Sequence, residues 1–188
     1  MDAGSAVTTG VENTLIGGLA GDAITDADYN VAIGKGALGT NQLGSRNTAV
    51  GTNSLHIANP ATAVNMYNTG VGYDAGYAVT TGIQNTLIGG LTGDALTTGN
   101  GNTAVGYLAL SLEDAHGYNT AVGHSALPVL NAGADANNVA LGYYAGFTTS
   151  TGVSNTFLGT GSGAFCTTGS NNTFVGKYAA LGITGNKL

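Results

Sequence analysis

Asn102 to Gly106 reads NTAVG, and the same five letters stand at Asn47 to Gly51 and at Asn119 to Gly123. Variants continue the series: NTLIG from Asn13 and from Asn85, NVAIG from Asn30, NTGVG from Asn68, NVALG from Asn138, NTFLG from Asn155 and NTFVG from Asn172. The steps between these ten asparagines are 17, 17, 21, 17, 17, 17, 19, 17 and 17 residues. A fixed short period marks a solenoid, in which each repeat is one supersecondary unit stacked on the next. Seventeen glycine-rich residues are too few for a helical hairpin. The motif sets β-branched residues beside small ones between Asn and Gly, so it reads as a strand of about five residues. The fold predicted is all-β: a β-solenoid or β-roll of about ten coils, forming a single repeat domain over 1–188.

The columns of the repeat assign roles. Position one is always Asn, position two Thr or Val, position four Ile, Val or Leu, and position five Gly. Position eight is small throughout. The asparagines read as a structural ladder, stacked coil on coil and hydrogen-bonded to their equivalents, with Asn also suited to a left-handed corner. The glycine reads as a position of positive φ or close backbone approach. Side chains alternate across a strand, so positions two and four share a face. Being β-branched or aliphatic, that face is expected to line the coil, packed against position eight.

Position three then points the other way, yet it is never polar: Leu15, Ala32, Ala49, Gly70, Leu87, Ala104, Ala121, Ala140, Phe157 and Phe174. A continuous apolar stripe is a surface that soluble monomers avoid. The expectation is a parallel trimer with Leu15, Leu87, Phe157 and Phe174 at the subunit interface. Position six is mixed and outward. Its Tyr73, Tyr107 and Tyr143 are candidate surface contacts. The two long steps contain the only prolines, Pro60 and Pro128, and predict outward loops near 56–67 and 127–137, since extra residues in a solenoid leave on one face.

Composition excludes several classes. Charged residues are 7% of the chain, with four basic against ten acidic and a net charge of −6, so the electrostatic footprint of a nucleic-acid binder is missing. The 43% apolar fraction excludes disorder from low hydrophobicity. Cys166 is the only cysteine and reads as a small buried hydrophobe. No secretory signal is visible, and no apolar run approaches the roughly 18 to 20 residues of a membrane span, so neither export by a leader nor membrane insertion is expected.

No enzyme is expected either. His56, His116 and His124 are scattered, and no nucleophile motif accompanies them. Asp22, Asp26 and Asp28 match neither the EF-hand loop nor the glycine-rich calcium nonapeptide, and read as a solvated loop. No catalytic group, cofactor or metal is predicted.

The pattern N-T-A-[VI]-G-x-x-A, followed after a gap by T-T-G-x-x-N, resembles the tandem repeats of bacteriophage tail-fibre and other virion-fibre proteins. NVAIGKGAL from Asn30 to Leu38 is similar also to the head repeats of trimeric autotransporter adhesins, β-rolls that associate as trimers. The resemblance runs from about Thr8 to Ala180. The 17-residue step is longer than the adhesin head repeat, which favours the phage family. The resemblance implies a structural fibre protein on a virion surface or extracellular appendage. Its partners would be its own copies, other virion or filament proteins, and host-surface glycans or proteins. The alternative is a bacterial adhesin or extracellular filament subunit. A ligand-recognising solenoid such as an ice binder is prompted by the TTG triplets at Thr8, Thr80, Thr97 and Thr167. They skip several coils, so no continuous threonine array is expected from them. The repeat starts near Thr8 and is still running at Thr184 to Asn186, which predicts end-to-end stacking through unpaired strand edges.

Overall fold

The computed structural model describes residues 2–180. The incipient eleventh coil expected at Thr184 to Asn186 lies outside them. Among the described residues the chain forms a parallel β-solenoid. Its ten-stranded sheet contains β1 (Thr14–Ile16), β2 (Val31–Ile33), β4 (Thr48–Val50), β6 (Thr69–Val71), β7 (Thr86–Ile88), β8 (Thr103–Val105), β9 (Thr120–Val122), β10 (Val139–Leu141), β11 (Thr156–Leu158) and β12 (Thr173–Val175), in that order. Pairing is in register throughout, so Thr103 faces Thr86 and Thr120, and Ala104 faces Leu87 and Ala121. A two-stranded parallel sheet, β3 (Gly44–Ser45) with β5 (Val64–Asn65), closes one corner.

The strands are three residues long rather than five, because both ends of the motif are spent on corners. Gly at position five adopts φ between 117° and 142° in every coil, a region open only to glycine. It also stacks on its own kind: a Cβ on Gly34 would lie 2.6 Å from the Gly51 carbonyl. At the other end, the left-handed residue is the one before the asparagine. Glu12, Tyr29, Arg46, Tyr67, Gln84, Tyr118, Asn137, Ser154 and Asn171 have φ of 52° to 64°, and Gly101 takes the same place at 66°. The asparagine is free to point inward.

There it ties the coils together. In each of the nine steps the Asn backbone N–H donates to the side-chain oxygen of the Asn one coil earlier, at 2.8 to 3.2 Å. The side-chain nitrogen donates across its own coil: Asn85 Nδ2 to the Gly99 carbonyl at 2.8 Å, and Asn155 Nδ2 to Gly169 at 2.8 Å. From Asn30 to Asn172 these side chains are at most 1% exposed, so each ladder bond also removes a buried unsatisfied group.

An inward position one forces an inward position three, two residues along the same strand. The facing expected from hydrophobicity is therefore reversed. Leu87 and Phe157 are fully buried inside the chain's own core, with Leu15 and Phe174 packed against it. Leu87 and Phe157 have no surface left to offer a partner, Leu15 and Phe174 of the end coils are partly buried against the same core, and the expected trimer interface through position three is corrected accordingly. The reason is volume. A 17-residue coil encloses a thin interior, filled by the small residues of positions three and eight and topped up by position nine. In four coils position three is Ala (Ala32, Ala49, Ala104, Ala121) and position nine a buried Leu (Leu38, Leu55, Leu110, Leu127); Ala140 is paired instead with Gly146, whose space is taken by Leu127 and Phe157 of the adjacent coils. Where position three is Leu or Phe in Leu15, Leu87 and Phe157, position nine is Gly21, Gly93 and Gly163. Large and small residues alternate between the two walls, which is how close-packed interiors avoid voids.

The inserted residues bulge less than expected. Ala58, Pro60, Leu127, Pro128 and Leu130 are buried within regular coils. Only Ala61 to Asn65 and a stretch around Gly133 to Asp135 stand out, and Met66 turns back to fill the core.

Candidate functional surface

With positions one and three inside, positions two and four form the outer face of the ten-stranded sheet. Position four is an exposed aliphatic stripe: Ile16 (56% exposed), Ile88, Leu141, Leu158 and Val175 are open to solvent, and Ile33, Val50, Val71, Val105 and Val122 are half-buried. Beside it run Thr14, Thr48, Thr69, Thr86, Thr103, Thr120, Thr156 and Thr173, interrupted by Val31 and Val139. In-register pairing sets successive members about 4.8 Å apart. Nine steps therefore give a strip roughly 43 Å long, and about 10 Å wide for three residues. Within it only the position-four column is aliphatic, an unbroken row of one Ile, Val or Leu per coil beside a column that is mostly threonine.

Position six flanks this face. Tyr73, Tyr107 and Tyr143 are exposed, as are Lys35, His124 and Lys177. Three of them join a run of aromatic rings: Tyr107 to His124 at 5.4 Å, His124 to Tyr143 at 5.4 Å, then Tyr143 to Tyr144 at 4.0 Å and Tyr144 to Phe147 at 4.5 Å. The neighbouring Tyr144 hydroxyl pushes the Tyr143 phenol up. Tyr73 lies outside that run and is held next to Asp74, whose hydrogen bond pushes its phenol up as well.

The other residues singled out in the sequence serve the coils. The first threonine of three TTG triplets donates its hydroxyl to the next coil: Thr8 to Thr25 O at 2.9 Å, Thr80 to Thr97 O at 3.1 Å and Thr97 to Asp114 O at 2.5 Å. Asp26 accepts from Thr9 Oγ1 at 2.6 Å, and Asp28 accepts from the Val11 N–H at 2.8 Å. Both line a shallow cleft of about 250 Å³ with Ser45 and Asn65, while the Asp22 carbonyl accepts from Ala6. Cys166 is buried, and burial pushes its thiol up, as befits an inert core residue. Of the histidines, His56 stacks on Tyr77 at 5.4 Å and places Nδ1 2.7 Å from the Gly36 carbonyl.

His116 belongs to a cluster that the sequence reading did not find. Glu113, Asp114 and His116 each offer a ligand atom, all within 4.8 Å of one another. His116 Nδ1 lies 3.0 Å from Glu113 Oε1 and 4.0 Å from Asp114 Oδ1. Burial pushes the Glu113 carboxyl up, and the hydrogen bonds from His116 oppose the shift. The signal that was available is the column: position twelve is core, and Glu113 is its one acidic member.

No family model, curated protein or solved structure matches this chain. Among the described residues no helix is long and apolar enough to cross a membrane.

Proposed function

We propose that this chain is a structural rod segment of a virion fibre, assembled side by side as a parallel homotrimer through the outer face of its ten-stranded sheet. The observation that carries the reading is the exposed aliphatic stripe of position four, one residue per coil along the whole sheet. Among the described residues the chain leaves this strip half-buried or exposed along its length. Two further copies around a common axis cover it along its full length, and identical coil spacing keeps the three in step. The repeat pattern's resemblance to virion-fibre repeats supports this assignment over that of a bacterial filament. The exposed position-six aromatics would remain on the rim, open to a host surface.

The test separates assembly from folding, because position four lies outside the core. Val105→Asp with Val122→Asp should convert the trimer seen by light scattering into monomers while the β-sheet circular dichroism persists. A monomer at micromolar concentration for the parent chain overturns the proposal.

A second reading rests on the other half of the same face. Eight threonines in register on one face of the sheet present regularly spaced hydroxyl and methyl groups, the array that the TTG triplets do not provide. Such a surface suits ordered water, as in an ice binder. Freezing hysteresis lost on Thr103→Tyr, from a chain that stays monomeric, would favour it over the fibre.

A further inference from the structure

Among the described residues position twelve of the coil is buried throughout. It holds Ile24, Val79, Leu96 and Leu130, and more polar members at Asn41 and Thr149. Glu113 occupies it between Leu96 one coil earlier and Leu130 one coil later, and is itself 0% exposed. A carboxylate in such a column is expensive unless every lone pair finds a partner.

Comparison with Asn41 shows what is left over. Asn41 uses both ends of its amide to cap its turn: Oδ1 accepts from the Gly44 N–H at 2.9 Å, and Nδ2 donates to the Gly44 carbonyl at 2.7 Å. Glu113 makes the equivalent cap with Oε1 alone, accepting from the His116 N–H at 3.2 Å. Its Oε2 is buried with no hydrogen-bond partner. Capping therefore explains one oxygen of the carboxylate and not the other. The same Oε1 also holds the His116 ring, with Nδ1 at 3.0 Å, and Asp114 Oδ1 lies 4.0 Å from that nitrogen.

We propose that Glu113, Asp114 and His116 form a binding site for a divalent first-row transition ion, of which Zn²⁺ is the fitting example. One imidazole nitrogen and two carboxylate oxygens are zinc donors, whereas calcium and magnesium prefer all-oxygen sets. An ion with bonds of about 2.1 Å holds tetrahedral ligands roughly 3.4 Å apart. The Nδ1 to Oε1 and Nδ1 to Oδ1 separations of 3.0 and 4.0 Å bracket that value. The closing adjustments fall on Asp114 and His116, whose side chains are 51% and 22% exposed. The same openness leaves a fourth position to water.

The backbone of this turn is already fixed from both sides. The Asp114 carbonyl accepts from the Thr97 and Thr98 N–H groups of the preceding coil. The Gly117 N–H donates to Asp135 Oδ1 at 2.9 Å from the following one. Little ordering remains for the ion to impose. Binding would tie the corner of one coil down, and an ion held by both carboxylate oxygens would give Oε2 its missing partner.

The experiment titrates untagged, chelator-treated protein with ZnCl₂ by calorimetry, with thermal unfolding in parallel and Co²⁺ absorption as a ligand-field readout. One ion per chain is expected, with a melting temperature that rises with zinc and a tetrahedral Co²⁺ spectrum. His116→Gln should lower affinity at least tenfold. Glu113→Leu matches the neighbouring Leu96 and Leu130, so it should fold and bind no zinc. Absence of saturable binding up to millimolar zinc overturns the proposal. So does stoichiometric binding that survives His116→Gln, which would place the ion elsewhere.

Discussion

Leu87 fills the space that a side chain on Gly93 would need: a Cβ built on Gly93 would lie 2.9 Å from Leu87 Cδ2. Gly76, one coil earlier, is in the same position against Leu87 Cδ1, at 2.6 Å. One leucine thus accounts for two glycines. Leu87→Ala should cost about 2 to 5 kcal/mol, the range for a buried Leu truncated in a close-packed core. Gly93→Ala should also destabilise, because φ there is +54° and the methyl meets Leu87. Urea unfolding midpoints measure both. If Leu87→Ala left stability intact but broke up an oligomer, position three would be an interface after all.

Period, coil count and sheet type were legible because they depend on repetition alone. Facing was not, because hydrophobicity orients such a strand poorly: Thr103 and Val105 share one face and Ala104 has the other, so the more hydrophobic face is the one that ends up outside. Two other signals did carry the answer. An asparagine ladder must be buried to be worth its hydrogen bonds, and alternation then puts Ala104 on the same side as Asn102. The exchange of Ala104 and Leu110 for Leu87 and Gly93 between adjacent coils is the mark of two positions sharing one volume. Glu113 was hidden for a related reason, since the reading followed the motif's columns and not the buried column seven residues after its glycine.

The asparagine ladder should be strongest in the middle. Asn102 Oδ1 accepts from the Asn119 N–H at 3.0 Å, and Asn102 Nδ2 donates to the His116 carbonyl at 3.1 Å. Asn102→Ala leaves that N–H and carbonyl buried without partners, at about 1 to 3 kcal/mol for an unsatisfied group. Asn13 Oδ1 likewise accepts from the Asn30 N–H at 2.9 Å, but Asn13 is only half-buried, so water can replace part of what is lost and Asn13→Ala should cost distinctly less. Hydrogen exchange at the two adjoining amides, Asn119 and Asn30, reads the difference directly. Equal protection loss at both would argue against the ladder as the tie between coils.

Asp94 sets a pH dependence. Its Oδ1 is buried with no partner, and burial raises its carboxyl above the ordinary value, with the Asp74 charge adding to the shift. A raised carboxyl pKa means that the folded chain holds the proton more tightly than the unfolded chain. The resulting stabilisation is fully present below the unfolded value, about 3.9, and is lost as pH rises through the folded one. Asp94→Asn removes the penalty of the charged form. Its stability advantage over the parent should grow from near pH 4 upward through the folded pKa and then level off. Paired unfolding curves across that interval test the sign, and an advantage that shrinks with rising pH would refute it.

Positions three and nine should also exchange as a pair. Coil 85–101 solves its interior with Leu87 and Gly93, and coil 102–118 solves it with Ala104 and Leu110. Ala104→Leu alone adds volume against a buried Leu110 and should cost about 1 to 3 kcal/mol as overpacking. Leu110→Gly alone opens a cavity and loosens the backbone, with a larger loss expected. The double substitution restores total volume, and glycine is at ease at Leu110, where φ is already +54°. Its cost should therefore fall below the sum of the singles by roughly 0.5 to 3 kcal/mol, the size of coupling between residues in contact. Phe157 and Phe174 show that two large position-three residues can stand in adjacent coils, their rings 5.9 Å apart, so the side chain introduced by Ala104→Leu meets no new obstacle beside Leu87. Strict additivity of the two changes would mean that positions three and nine do not share a volume.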